Sequence, residues 1–415
     1  MRFGLLGKTL SHSYSGEIHK MLSDNSYEMF ERNNEELERF FKEREFKGIN
    51  VTLPYKEEVI KYLDTIDEEA KNIGAVNTIV NNDGVLKGYN TDAFGFEKLL
   101  KFHRVDVKNK KVLILGSGGT SKTVKYVLLK LGAKEIYVVS RTPSKGQISY
   151  SEAVEKFETQ VIVNTTPYGM YPDYKDESLI DVNKFPYLES VVDVIYRPYR
   201  TNLLIDAKLK GCKTASGLYM LVAQAIKASE LFLDRVYEEK VYRQVYFELL
   251  RKTTNIVFIG MPSTGKTTAS RNLSKSLNAK CYDTDLEIYK DTKMTTKEMF
   301  AQYGEEYFRD LETKKINELM GLTGVIISTG GGAILRKENR YALLRNGYVI
   351  YLNRNISLLK KNKRSLKNRP LLQNPEAFDE LYNQRKDIYK VCCDLEYCNN
   401  STQWNTLNYI LKQIV

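Results

Sequence analysis

The sequence predicts an α/β protein throughout, ending in a domain built on a parallel sheet. Two strand–glycine–helix signatures, and the stretch that must fold ahead of them, predict it. Residues 1–100 precede the first signature and form a unit of their own, with strands expected near Arg2–Leu6, Gly48–Leu53 and Ala75–Val80. The first signature is the apolar run Lys111–Leu115, then Gly116-Ser117-Gly118-Gly119, then a periodic helix from about Thr120 to Leu131. A long helical stretch follows from about Leu218 to Leu250, and the polar group Arg251-Lys-Thr-Thr254 reads as a linker. The second signature is Asn255–Ile259, then Gly260 to Thr268, then a helix to about Leu277. The expected order is an α/β substrate-binding domain over 1–100 and a Rossmann-like dinucleotide domain over 101–250, whose last helices return to the first domain. A linker over 251–254 and a P-loop domain over 255–415 complete it.

Composition allows this and excludes much else. At 415 residues, with 42% hydrophobic and 28% charged residues, the chain can bury two or three cores. Apolar runs are only strand-length, so no transmembrane span or signal core is expected, and a cytoplasmic setting is the default. Five cysteines with no C-x-x-C pair, and three histidines, argue against a disulfide framework or a zinc site. The net charge of +11 is uneven: from Thr253 onward 25 Lys and Arg face 17 Asp and Glu. Arg354 to Arg369 carries seven of those cations and no acid, but without the interleaved aromatics of a nucleic-acid surface. From charge alone, nucleotide phosphates and a solvated basic loop fit equally well.

Gly260-Met-Pro-Ser263-Thr264-Gly265-Lys266-Thr267-Thr268 matches G-x-x-x-x-G-K-[ST] between a strand and a helix. Glycines let backbone N–H groups curl around phosphate, Lys266 reaches the β/γ-phosphates of ATP, and the Thr267 hydroxyl can ligate Mg²⁺. That signal is silent on the acceptor. Cys281-Tyr-Asp-Thr-Asp285 places two carboxylates two residues apart at the end of a short strand, on one face. Asp283 then serves the Mg²⁺ shell and Asp285 faces the acceptor. Glu305 to Glu312 on a helix, containing Phe308-Arg309, and Ser328-Thr-Gly-Gly331-Gly-Ala333 after the strand Val325–Ile327 complete the set. Singly, Arg309 reads as a surface arginine and the triple glycine as a loop.

In this order, from Asn255 to Asn399, these motifs resemble shikimate kinase. The resemblance implies that Asp285 holds the shikimate hydroxyls and is the base. It implies that Arg309 and Arg385 (in Leu-Tyr-Asn-Gln-Arg385) bind the carboxylate, and that Gly331 lies against the ring. Arg369-Pro-Leu-Leu372 resembles the family's lid motif, with Arg369 closing over ATP, which places the basic run in the lid. Gluconate kinase is the nearest alternative acceptor reading.

In the first half, Gly116-x-Gly118-x-x-Ser121 is a loosened dinucleotide fingerprint and weak by itself. It gains weight because the strand Glu135–Val139 ends in Ser140-Arg141-Thr142-Pro-Ser-Lys145. Arg141 at the usual acidic position, with Lys145 near, favours the 2′-phosphate of NADP over NAD. A Lys–Asp pair, Lys56 after Gly48–Pro54 and Asp92 after Gly88-Tyr-Asn, could deliver and orient the proton that a ketone reduction needs. A solvated lysine and an N-cap aspartate fit those two residues as well.

Residues 1 to about 250 resemble shikimate dehydrogenase. The resemblance implies that Ser13 and Ser15, in His12-Ser-Tyr-Ser15, bind substrate carboxylate. It implies that Thr52 and the acid/base Lys56 come from GxNVTxPxK, Asn77 from Gly74-Ala-Val-Asn-Thr78, and Asp92 from Gly88–Asp92. Tyr196 and Gln224 lie near the ring hydroxyls and Gly217 near the nicotinamide, while Gly116 to Thr120 and Ser140 to Lys145 hold NADP. The family's usual prolines near the serines are replaced by Thr9 and Gly16, and Ser140 stands where Asn is frequent.

The function expected is a bifunctional enzyme that reduces 3-dehydroshikimate with NADPH and then phosphorylates shikimate with ATP and Mg²⁺. No nucleic-acid or membrane partner is expected. A quinate/shikimate dehydrogenase fused to the kinase, and a non-catalytic sensor built from these folds, are the competing readings.

Overall fold

The computed structural model describes residues 2–10, 13–173, 177–360, 375–400 and 403–414. The chain forms two compact units, Met1–Arg197 with Cys212–Tyr246, and Pro198–Gly211 with Phe247–Val415.

The first unit holds two sheets. Strands β1 (Phe3–Gly7), β2 (Tyr27–Glu31), β3 (Gly48–Val51), β4 (Thr65–Ile66), β5 (Thr78–Asn82) and β6 (Val85–Tyr89) form one in the order β2-β1-β3-β5-β6-β4. Its β2-β1-β3 part is parallel, and β5 and β6 run antiparallel to their neighbours β3 and β5. The order reverses between β1 and β3, so a crevice opens beyond the carboxyl ends of those two strands. Leu6, Ile49 and Val51 pack against Leu37 and Phe41 of the helix Asn34–Glu43. That helix starts on a capping box between Asn33 and Glu36.

Strands β7 (Lys111–Leu115), β8 (Glu135–Val139), β9 (Gln147–Ile148), β10 (Val161–Asn164), β11 (Ser190–Asp193) and β12 (Lys213–Ser216) form the second sheet, in the order β12-β11-β10-β7-β8-β9. Every pairing described in it is parallel. Read from β7, this is the doubly wound 3-2-1-4-5-6 order, with its reversal between β7 and β10. The long helical stretch expected from Leu218 to Leu250 is two helices, Leu218–Leu233 and Glu239–Thr253, because Asp234 takes a left-handed φ of 47° and ends the first. Helix Leu218–Leu233 packs along Thr91–Phe102, the helix that follows β6.

The second unit has one parallel sheet, β13 (Asn255–Ile259), β14 (Cys281–Asp283), β15 (Ile326–Ser328), β16 (Gly347–Asn353) and β17 (Leu395–Cys398), in the order β14-β15-β13-β16-β17. Its core joins Val257, Ile259, Ile327 and Val349 to Ile316, Leu343, Phe378 and Ile205. Ile205 sits on the helix Asn202–Leu209, which the sequence reading assigned to the dinucleotide domain. The expected linker 251–254 is no extended connection either: helix Glu239–Thr253 runs through it and Thr254 is buried. Among the described residues, no helix is long and apolar enough to cross a membrane.

Candidate functional sites

In the first unit a cavity of about 510 Å³ lies over the crevice beyond β1 and β3. Ser13, Ser15, Thr52, Lys56, Asn77, Asp92, Tyr196 and Gln224 all line it, together with Thr120 and Gly217. Residues separated by up to 211 positions thus meet in one pocket. The fold explains why. Ser13 and Ser15 leave the end of β1, Thr52 and Lys56 leave the end of β3, and the Thr52 amide donates to the Leu6 carbonyl at 2.9 Å. Asn90 caps the helix Thr91–Phe102 by accepting from the Ala93 amide, which sets Asp92 in the first turn, where the helix dipole favours a carboxylate. Lys56 Nζ lies 2.7 Å from Asp92 Oδ2, and both side chains are largely buried. The solvated-lysine reading therefore fails: the ammonium lines the cavity already paired and mostly out of solvent.

The dinucleotide loop follows β7. Gly116 has φ 103°, and a Cβ there would come within 2.8 Å of Thr166 at the end of β10. Beyond Gly118 nothing lies within 4 Å, which leaves room for a pyrophosphate at the start of helix Gly119–Lys130. Ser140 Oγ accepts from the Thr142 amide at 3.3 Å and meets Ser117 Oγ at 3.2 Å, tying the two cofactor-side turns together. Arg141 and Lys145 are exposed beside them. These features fit a dinucleotide carrying an extra phosphate.

In the second unit the P-loop follows β13. Gly265, at φ 96°, caps helix Lys266–Leu277, and Ser263 is also left-handed at φ 67°. Lys266 Nζ donates to the carbonyls of Gly260 and Met261 at 2.9 and 3.0 Å, folded over its own loop. Thr264 and Thr268 flank it, and Asn399 Nδ2 clamps the loop through the Thr264 carbonyl at 2.7 Å. The Thr267 hydroxyl donates to Asp283 Oδ2 at 2.8 Å. A hydroxyl and one carboxylate suit Mg²⁺, which keeps several waters and takes its other ligands from phosphate.

One expectation needs correction. Strand β14 stops at Asp283, whose carboxylate caps the next helix by accepting from the Leu286 amide, and Asp285 lies in that helix's first turn. The two carboxylates are therefore separated by a strand-to-helix change and do not share a strand face. Arg309 is no surface residue: it is buried, bonded to Glu305 and to Glu312 at 2.7 Å. A Cβ at Gly332 would touch its guanidinium at 2.4 Å, so only glycine lets the backbone come this close. Arg385 Nη1 donates to the Gly331 carbonyl at 3.1 Å, and Tyr389 bonds the same oxygen. Arg385 Nε is buried and finds no hydrogen-bond partner among the described residues. Burial, opposed by Tyr389 and aided by Arg309, pulls the Arg385 pKa down. Two buried guanidiniums with an orphaned donor fit an anionic ligand. Arg369 lies outside the described residues.

Sequence reasoning gave no role to Glu312, which is fully buried. Burial pushes its carboxyl up; Arg309 opposes and Asp285 adds to the rise. Glu312 Oε1 and Asp285 Oδ1 both converge on Gly330. The i,i+3 spacing from Arg309 was the signal available. Tyr389 and Asn399 gave none.

A dinucleotide fold with a Lys–Asp pair in its pocket, followed by a P-loop fold with a buried arginine pair, defines an oxidoreductase joined to a kinase. Comparison with known proteins agrees. The family model "Shikimate dehydrogenase substrate binding domain" matches residues 5–79, and "Shikimate kinase" matches residues 262–415. The NADP(+) shikimate dehydrogenase of Clostridium beijerinckii is 38% identical over 262 residues, 59% of this chain and 96% of its own length. A solved chorismate mutase/shikimate 5-dehydrogenase fusion from Clostridium acetobutylicum is 39% identical, with TM-score 0.57, covering 60% of this chain and 96% of that one. The Thermus thermophilus shikimate 5-dehydrogenase solved with NADP(H) and shikimate is 33% identical, with TM-score 0.54, over 60% and 99%. This chain belongs to the shikimate dehydrogenase family and carries a shikimate kinase domain behind it: it is a bifunctional enzyme of the shikimate pathway.

Proposed function

We propose that the first unit reduces 3-dehydroshikimate to shikimate with NADPH, and that the second phosphorylates that shikimate on its 3-hydroxyl with ATP and Mg²⁺. One observation carries the reading. Each unit gathers groups for one small carboxylate beside a group for handling a proton: Ser13 and Ser15 beside Lys56–Asp92, and Arg309 and Arg385 beside Asp285.

In the first unit the serine hydroxyls donate to the carboxylate, and Thr52, Asn77, Tyr196 and Gln224 orient the ring oxygens. The nicotinamide supplies hydride to the carbonyl carbon. Lys56 gives a proton to the oxygen as it becomes an alkoxide, and Asp92 holds the ammonium in place until then. Gly116 to Thr120, Ser140, Thr142 and Gly217 hold the dinucleotide, with Arg141 and Lys145 on its 2′-phosphate.

In the second unit Arg309 and Arg385 hold the carboxylate against Gly331, with Glu312 keeping Arg309 in place. Asp285 takes the proton of the same oxygen that Lys56 had protonated. ATP supplies the phosphoryl group; Lys266 steadies its developing charge, and Thr267 with Asp283 positions Mg²⁺.

The purified chain given 3-dehydroshikimate, NADPH, ATP and Mg²⁺ should form shikimate 3-phosphate, followed by mass spectrometry. Without that product the reading is wrong. Quinate is the competing substrate, because a solved Corynebacterium glutamicum quinate dehydrogenase in complex with NAD is 26% identical with TM-score 0.54. Oxidation of shikimate much faster than of quinate is expected; the reverse would favour that reading.

A further inference from the structure

A loop that cradles phosphate must offer its amides and turn its carbonyls away, because a carbonyl oxygen repels an anion. Each carbonyl turned away then needs a donor of its own. In the loop Gly260–Thr268 some donors come from the loop itself. Lys266 Nζ serves the carbonyls of Gly260 and Met261, and the buried Thr264 hydroxyl also donates to Met261 at 2.9 Å. The Thr264 carbonyl is served from 135 residues away, by Asn399 Nδ2 at 2.7 Å. The same nitrogen lies 2.8 Å from where a Cβ on Gly265 would stand, so the Asn399 amide packs directly on that glycine.

Asn399 is itself held from two sides. It follows β17, and its backbone N–H donates to the Asn353 carbonyl at 2.7 Å, carrying the ladder with β16 one residue beyond the strand. Its Oδ1 accepts from the Thr406 hydroxyl at 2.8 Å. Thr406 is buried on the helix Gln403–Ile414, which packs against Lys266–Leu277, the helix that the loop enters. An amide oxygen facing the Thr264 carbonyl would be repelled, so the nitrogen takes that side and the oxygen faces Thr406. The side chain therefore has one orientation. In a trans peptide the C=O and the following N–H point opposite ways, and the Thr264–Gly265 bond is trans. Pinning the Thr264 carbonyl on Asn399 thus aims the Gly265 N–H away from Asn399. Among the described residues that N–H meets no hydrogen-bond acceptor.

We propose that Asn399 is a positioning residue for nucleotide binding: held by Thr406, it draws the Thr264 carbonyl out of the phosphate site and aims the Gly265 amide at a phosphate oxygen of ATP. This rests on the reading of the loop as the ATP site of a shikimate-phosphorylating unit.

Steady-state kinetics of the full chain with shikimate, ATP and Mg²⁺ test it. Asn399→Ala should raise KM for ATP about five- to tenfold, the worth of one hydrogen bond, with kcat and KM for shikimate changed less than about twofold. Asn399→Asp keeps the size and the Thr406 bond but cannot donate, and should raise KM for ATP at least as much. Thr406→Val removes the hydroxyl that orients the amide. It should reproduce part of the rise, about two- to fourfold, and Thr406→Ser should restore the original KM, which covers an Asn399 variant that fails to fold. Thr406→Val added to Asn399→Ala should cost less than about twofold more, because Thr406 acts through Asn399. Equal rises in both KM values, an unchanged KM for ATP in Asn399→Ala or Asn399→Asp, or penalties that multiply in the double variant would overturn the proposal. If the unmodified chain forms no shikimate 3-phosphate from shikimate and ATP, the functional reading of the second unit falls and this inference with it. If it does and the variants are neutral, only this inference falls.

Discussion

At the scale of single residues, the two chemistries should separate cleanly. Lys56→Ala removes the proton donor and should lower the NADPH-dependent rate roughly 10²- to 10⁴-fold while leaving the kinase rate intact. Lys266→Ala should do the reverse, costing about 10²- to 10³-fold in phosphoryl transfer. Coupled and single-substrate assays on each variant check this, and loss of both activities from either change would contradict it. Arg385→Ala should raise KM for shikimate roughly 10- to 100-fold, the worth of a charge-assisted hydrogen bond. His19 makes a prediction about pH. Its native pKa is near 4 against an ordinary value of 6.5, because burial disfavours the imidazolium. Below pH 6.5 the unfolded chain therefore takes up a proton that the native ring refuses. Stability falls as pH drops from 6.5 to 4, by about 3 kcal/mol in all. Urea titrations across that range should show the slope in the unmodified protein and a shallower one in His19→Gln.

At the scale of elements, what was legible depended on how local the signal is. Strands Lys111–Leu115, Glu135–Val139 and Asn255–Ile259 could be read to the residue, since each is an apolar run ended by Gly or Ser. The break at Asp234 was not legible, because an aspartate in a left-handed C-cap looks no different in sequence from one on a helix face. Nor was the handover from strand to helix between Asp283 and Asp285. The helix Asn202–Leu209 is the larger surprise. Arg200, just before it, bonds Asp394 and the carbonyls of Leu344 and Gly347, and Lys208 on it donates to Asp394 at 3.1 Å. Burial would push Asp394 up, but Arg200, Lys208 and the Val349 amide together hold it below the usual carboxylate range. Asp394→Asn leaves two cations without their carboxylate and should cost about 3–5 kcal/mol. Pairing it with Arg200→Met should cost less than the sum of the single changes, as denaturant melts of the kinase activity would reveal.

For the whole molecule, the consequence is that the second unit is assembled from two stretches of chain, Pro198–Gly211 and Phe247–Val415. A polypeptide starting at Phe247 carries the P-loop, both arginines and Asp285, yet lacks Arg200, Lys208 and Ile205. It should lose shikimate kinase activity at a lower urea concentration than the full chain, by a margin comparable to Asp394→Asn. Equal midpoints would show that the Asp394 cluster is dispensable. The reading of the second half as a module beginning at residue 255 is thereby revised in its boundary. Its chemistry is untouched.

The sequence by itself determined the two folds, the two nucleotide loops and nearly all of the side chains that gather in the pockets. Those features are local: a glycine loop, a cap or an arginine four residues from a glutamate is written in adjacent letters. Tertiary structure alone decided that Arg309 is buried, that Tyr389 bonds the Gly331 carbonyl beside Arg385, and that Asn50 on β3 bonds Thr78 on β5. It also decided that residues near 200 complete a core otherwise made after 246. These depend on which strands lie side by side and on where a buried polar atom finds its partner. No spacing along the chain encodes either, because pairing across a sheet or through a core is settled by the packed whole.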